Sequence, residues 1–82
     1  MEKLYEMSQA ILLLCMQACD NGIQIRFTYS PNTTGIFIDH MTGETTYKMF
    51  MCFFDHDDCM QELEEIHEYI NNLIEGDNDV RT

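Results

Sequence analysis

Basic side chains are scarce in this chain: Lys3, Arg26, Lys48 and Arg81 are all there are among 82 residues. Four cations cannot neutralise a run of phosphates, which argues against direct binding of DNA or RNA. Tryptophan is absent as well, so a core has to be filled by four tyrosines, five phenylalanines, seven methionines and the aliphatics. Long apolar runs are missing too. The stretch AILLLCMQAC at residues 10–19 falls short of the roughly 20 residues that span a bilayer. A secretory leader should be basic, whereas Glu2 and Glu6 outnumber Lys3 here, and a bulky leucine before Cys15 makes a poor lipoprotein site. The expectation is a cytoplasmic protein with no membrane partner, whose four cysteines are reduced thiols. No serine or cysteine nucleophile pattern, glycine-rich phosphate loop or lid-length loop occurs, so neither an enzyme nor a cofactor is expected.

What the chain has in excess is acid. Fifteen carboxylates bring the formal charge to −11. Self-repulsion of that size costs stability and is more readily explained by solubility or by a basic partner. The excess is lopsided. Residues 1–54 hold five acids against three bases, and residues 55–82 hold ten acids against Arg81 alone.

Apolar content of 45% is that of a globular chain, and the length predicts one small domain over residues 1–76. Residues 2–20 read as a helix, with Glu2, Glu6, Gln9, Gln17 and Asp20 on one stripe and a wide apolar arc opposite. Asn21-Gly22 supplies its stop. Leu13 falls inside the polar stripe and Met16 at its edge, either as scattered surface apolarity or as a contact with a second chain. Residues 23–30 alternate as a strand, a turn at Ser30-Pro31-Asn32 follows, and Gly35–His40 makes a second strand. After a turn at Gly43, Thr45–Phe54 makes a third, apolar on both faces near its end and therefore expected to be central or covered on both sides. A helix from about Asp57 to Glu75, capped by Asp55 and stopped by Gly76, buries Cys59, Leu63, Ile66, Ile70, Leu73 and Ile74. A short flexible tail at 77–82 completes the chain. The fold class is α+β, in the order α-β-β-β-α: a three-stranded antiparallel meander packed by two helices.

Four constellations carry chemistry. Cys52, His56 and Cys59 lie close together, with His67 or His40 to complete a zinc set, but the spacing lacks the tight C-x2-C pairs of structural zinc sites. Cys52 then more simply fills core, and capping explains Asp55, Asp57 and Asp58 better than calcium does. Cys15 and Cys19 share a helical face near a C-terminus, which suits core thiols better than a redox pair. His56 between Asp55 and Asp57 superficially fits acid–base work, which needs an oriented pair beside a pocket. The acidic helix is the fourth. Asp57, Gln61, Glu64, Glu68, Asn72 and Glu75 form one ridge, flanked by Asp58, Glu62 and Glu65. At ~1.5 Å rise per residue, Glu64 and Glu68 stand roughly 6 Å apart along the axis, close to the phosphate spacing of a nucleic-acid strand. A face kept only for solubility would interleave both signs.

In size, acidity, methionine content and mixed build the chain resembles small accessory proteins of phages and mobile elements, anti-CRISPR and DNA-mimic inhibitors among them. Asp55–Glu75 carries most of that resemblance. It implies a stoichiometric inhibitor of a basic nucleic-acid-binding host protein, such as a nuclease complex, in the cytoplasm of the host cell. Partner-binding residues would be Asp57, Asp58, Glu64, Glu65, Glu68 and Glu75. A homodimeric module using Leu13 and Met16, and a small zinc protein, are the alternatives.

Overall fold

A computed structural model describes residues 2–81, with the side chains of Tyr47 and of residues 77–81 outside the description. The elements are α1 (Glu2–Asp20), β1 (Gln24–Ser30), β2 (Gly35–Thr42), β3 (Thr45–Phe53) and α2 (Cys59–Arg81). The α-β-β-β-α order expected from the pattern is therefore the observed one.

α1 ends in a Schellman motif. The Ile23 N–H donates to the Ala18 carbonyl at 2.9 Å and the Gly22 N–H to that of Cys19 at 3.0 Å. This geometry needs a left-handed residue, supplied by Gly22 at φ 84°. Ile23 is half-buried against the core, which locks the angle at which β1 departs.

The three strands form one antiparallel sheet in the order β1-β2-β3. β2 is therefore central and β3 is an edge, which corrects the expectation that β3 is central or covered on both faces. Its second apolar face, with Met49 and Met51, is open to solvent. A register shift beside His40 and Met41 makes residue 47 the extra residue of β3, a bulge that breaks the ladder near its start. At the far end, the Phe53 ring packs where any side chain on residue 35 would stand: a Cβ there would lie 2.8 Å from Phe53 Cδ1. Only glycine fits. The preceding Thr34 takes a left-handed φ of 48°, an uncommon conformation for a β-branched residue. Its carbonyl accepts from the Phe54 N–H at 3.0 Å and ties the first hairpin to the end of β3.

Both helices pack on one face of the sheet. Ile25 of β1, Ile36 and Ile38 of β2 and Cys52 of β3 meet Ile11, Cys15 and Ala18 of α1 and Leu63, Ile66 and Ile70 of α2. Each fully buried Ile or Leu contributes roughly 2 kcal/mol by leaving water. Tyr5 touches Phe54 and Cys19 touches Ile25, so α1 runs from the Phe54 end of the sheet to the Ile25 end. α2 leaves that same Phe54 end and reaches His40 through Tyr69. The helices are thus parallel neighbours, with their N-termini together.

α2 differs from expectation at both ends. Asp58, whose carbonyl accepts from Glu62 N–H at 2.9 Å, holds the N-cap position in place of Asp55. Asp55 and Asp57 lie in the preceding turn, where His56 N–H donates to the Phe53 carbonyl. Gly76 does not stop the helix, which continues to Arg81. Glycine lowers helix stability by about 1 kcal/mol without forbidding it. No positive φ that would signal a cap is recorded at Gly76.

Candidate functional site

The outer surface of the helical layer is built on α2. Cys59, Leu63, Ile66 and Ile70 face the sheet and are buried. Gln61, Glu64, Glu68, Asn72 and Glu75 follow at spacings of three and four, which puts them on the opposite side, and all are exposed. Glu65 is exposed beside them, and Asp57 and Asp58 are exposed in the turn before the helix. The ridge as observed thus starts at Gln61, with the two aspartates off its line. The ion pair recorded among the described residues is Arg26–Asp39, on the other side of the sheet, so none ties down these carboxylates.

Parallel packing of the helices extends the acidic surface beyond what one helix shows. Glu6 of α1 shares an open groove with Glu64, lined also by Lys3, Met7 and Met60. Glu6 was not legible as a site residue, because its pattern says only that it is polar. At the other end of α2, Lys48 of β3 lies over the rings of Phe50 and Tyr69, at 5.1 and 5.2 Å from their centroids. Those rings pack edge-on at 5.0 Å. Tyr69 and His40 share a 2.7 Å hydrogen bond between the phenol oxygen and Nδ1. Glu65 and Glu68 line the shallow groove around this cluster. The cluster fastens α2 to β2 and β3, joining residues 29 apart in sequence, a distance that no local pattern spans.

Cys15, Cys52 and Cys59 are buried in the core, whereas Cys19, expected there beside Cys15, is exposed at the end of α1. Cys52 is fully buried, and its Sγ–H donates to the Cys59 carbonyl at 3.4 Å. Burial first, then the charge of Glu62, pushes the Cys52 thiol up to about 12. Burial, then Cys19, pushes Cys15 up to about 11. Such thiols keep their protons and make poor nucleophiles and metal ligands. His56 is exposed with its ring 5.3 Å from that of Phe53, and His67 is half-buried on α2. Among the described residues no group of three or more His, Cys, Asp or Glu side chains is placed to hold a metal ion, so Cys52, His56, Cys59 and His67 are not gathered into a centre. No described helix is long and apolar enough to cross a membrane.

Two apolar surfaces are exposed among the described residues. On α1, Leu13 and Met16 stand 56% and 59% exposed. Leu12, which the wheel places in the inward arc, is exposed beside them. With Tyr5 and the Tyr29 side chain of β1, it lines an open groove of about 390 Å³ floored by Phe27, Ile36 and Phe54. A second open groove of about 500 Å³ continues along α1 past Met16 and Cys19 to Ile25 and Arg26. The other surface is the bare face of the sheet. Met49 and Met51 are exposed there, Phe37 and Phe53 pack edge-on at 5.8 Å, and Asp39 is held at 6% exposure by Arg26. Two guanidinium nitrogens, Nε and Nη2, donate to one carboxylate oxygen at 2.9 and 2.7 Å. Which face of a strand stays bare depends on where the helices land, and alternation cannot show that. No protein-family model matches the chain, and no curated protein or solved structure matches it either.

Proposed function

We propose that this protein is a non-catalytic acidic inhibitor that docks its α2 ridge on the basic nucleic-acid channel of a partner, such as a nuclease complex, in the cytoplasm. The supporting observation is the exposed line of Glu64, Glu68 and Glu75 on a helix fastened by core on its other side. Glu64 to Glu75 covers about 16 Å of helix axis, the reach of a few nucleotides. Steering by this charge would make association fast at low salt and weak at high salt. Asp57, Asp58 and Glu65 broaden the footprint, and Glu6 joins it from α1.

The test uses immobilised protein and host lysate at low and high salt, with double-stranded DNA as competitor. Nucleic-acid-binding proteins should be retained at low salt and displaced by DNA. Retention should disappear with Glu64→Lys/Glu68→Lys, whose exposed sites leave the fold intact. Equal retention by that double variant would overturn the reading.

The exposed flank of α1 favours a second and compatible reading, a homodimeric structural or regulatory module.

A further inference from the structure

We infer that a second copy of this chain occupies the α1–β1 flank. The two β1 strands would pair antiparallel into a continuous six-stranded sheet, and the two α1 helices would pack antiparallel above the seam. The inference rests on the homodimeric reading and specifies its interface.

The surface points there first through its apolar content. Among the described residues seven large hydrophobic side chains are exposed, and five of them lie on α1 or β1: Tyr5, Leu12, Leu13, Met16 and Tyr29. The bare sheet face has the other two. The two grooves follow the same flank, so the space between α1 and the edge strand is unfilled in one copy.

β1 is also an edge free of the usual obstacles. Its seven residues contain no proline, and its pairing with β2 runs without a register break. Arg26 is its only charge. Exposed edges of this kind recruit another strand unless they are blunted. β3, the other edge, is bulged at residue 47.

Face parity and symmetry select the register. Opposed residues in an antiparallel pair point to the same face, so the two chains must pair odd with odd and even with even. Centring the two-fold on Arg26 would oppose two guanidinium groups, and centring it on Thr28 would bring Pro31, which has no N–H, against Ile25. Centring it on Phe27 uses all seven residues. Ile25 then faces Tyr29 of the other copy, and Arg26 faces Thr28. The helices of both copies fall on one side, because Ile25, Phe27 and Tyr29 alternate onto the helix-covered face in each.

Size and charge agree with this arrangement. The flank is about 23 Å long by the strand rise and about 20 Å deep across two layers, roughly 500 Å² in projection. Side-chain relief brings that near the roughly 800 Å² one partner commonly buries in a stable pair. Two chains of charge −11 repel one another. Residues 7–19, the body of the α1 flank, contain no charged side chain, and Asp20 and Arg26, of opposite sign, line its far end. Pairing here places the two α2 ridges at opposite outer ends, where their repulsion is least.

Sedimentation equilibrium of the chain at about 150 mM salt, where the Debye length is about 8 Å, should show a concentration-dependent dimer. Leu12→Glu and Met16→Glu each alter exposed residues and should weaken it at least tenfold, with far-UV dichroism unchanged. Met51→Glu on the bare sheet face should leave it intact. In the dimer, amide exchange should be slow along all of β1, and in Met16→Glu every second β1 amide should exchange fast. A monomer at every concentration would overturn both the dimeric reading and this interface. A dimer lost in Met51→Glu but kept in Met16→Glu would overturn the interface, as would a dimer whose outward β1 amides exchange as fast as in the monomer.

Discussion

At the scale of single residues, the Cys52 thiol lies in the core against the Cys59 carbonyl, and burial keeps its proton in place. In the unfolded chain this thiol ionises near the ordinary 9.0, and in the fold burial pushes it up to about 12. Between those values the unfolded state binds fewer protons, so stability falls as pH rises from 9 towards 12 and is fully retained below 9. Denaturant unfolding from about pH 7 to about pH 11 should show that alkaline loss. Cys52→Ala should be less stable at neutral pH, because it leaves a cavity, and should have a shallower alkaline limb. Parallel limbs in the two proteins would place the loss elsewhere. The same residue illustrates a limit of reading spacing alone. Cys52, His56 and Cys59 are near in sequence, yet a strand end and a turn carry His56 to the surface while both cysteines turn inward.

At the scale of elements, α2 sets like charges on adjacent turns. Glu64 and Glu68 are four residues apart and both exposed, a pairing that costs a few tenths of a kcal/mol. Glu68→Lys converts it to a favourable pair with the acid on the N-terminal side, a gain of about 0.5 kcal/mol. The melting temperature at low salt should therefore rise by about 2–4 °C. An unchanged or lower value would show that Lys48, in the groove with Glu65 and Glu68, already offsets the ridge. Both helices were legible from their 3.6-residue periodicity, which follows from their packing on one side only. Their ends were less so. Gly22 stops α1 because Ile23 has core to reach, whereas Gly76 simply joins α2.

At the scale of the whole molecule, charge and core oppose each other. The formal charge of −11 is spread over a domain with a single core cluster, and the carboxylates concentrate on the helical layer. Raising salt from about 10 mM to about 150 mM shortens the Debye length from roughly 30 to roughly 8 Å. The melting temperature should climb over that range and then level off. A flat profile would mean that self-repulsion is not a significant term in the fold. The polarity of the molecule follows from the topology. Parallel helices on one face of the sheet bring Glu6 to Glu64, and they leave the other face to Met49, Met51 and the Arg26–Asp39 pair.

The order of the elements, the inward stripe of α2 up to the half-buried Leu73 and Ile74, the stop of α1 and the concentration of acid in the final third can be read from the residues alone. Each is written in periodicity, composition or a local turn signal. The tertiary structure alone decided that β2 is central, that β3 has a bare face, that Leu12 faces solvent beside β1, and that His40, Lys48 and Tyr69 meet. The physical reason is that alternation marks two faces of a strand without saying what covers them. A helical wheel likewise marks an apolar arc without saying how much of it the sheet can reach. With two helices over three strands, the core takes the middle of the α1 arc and leaves its outer flank exposed.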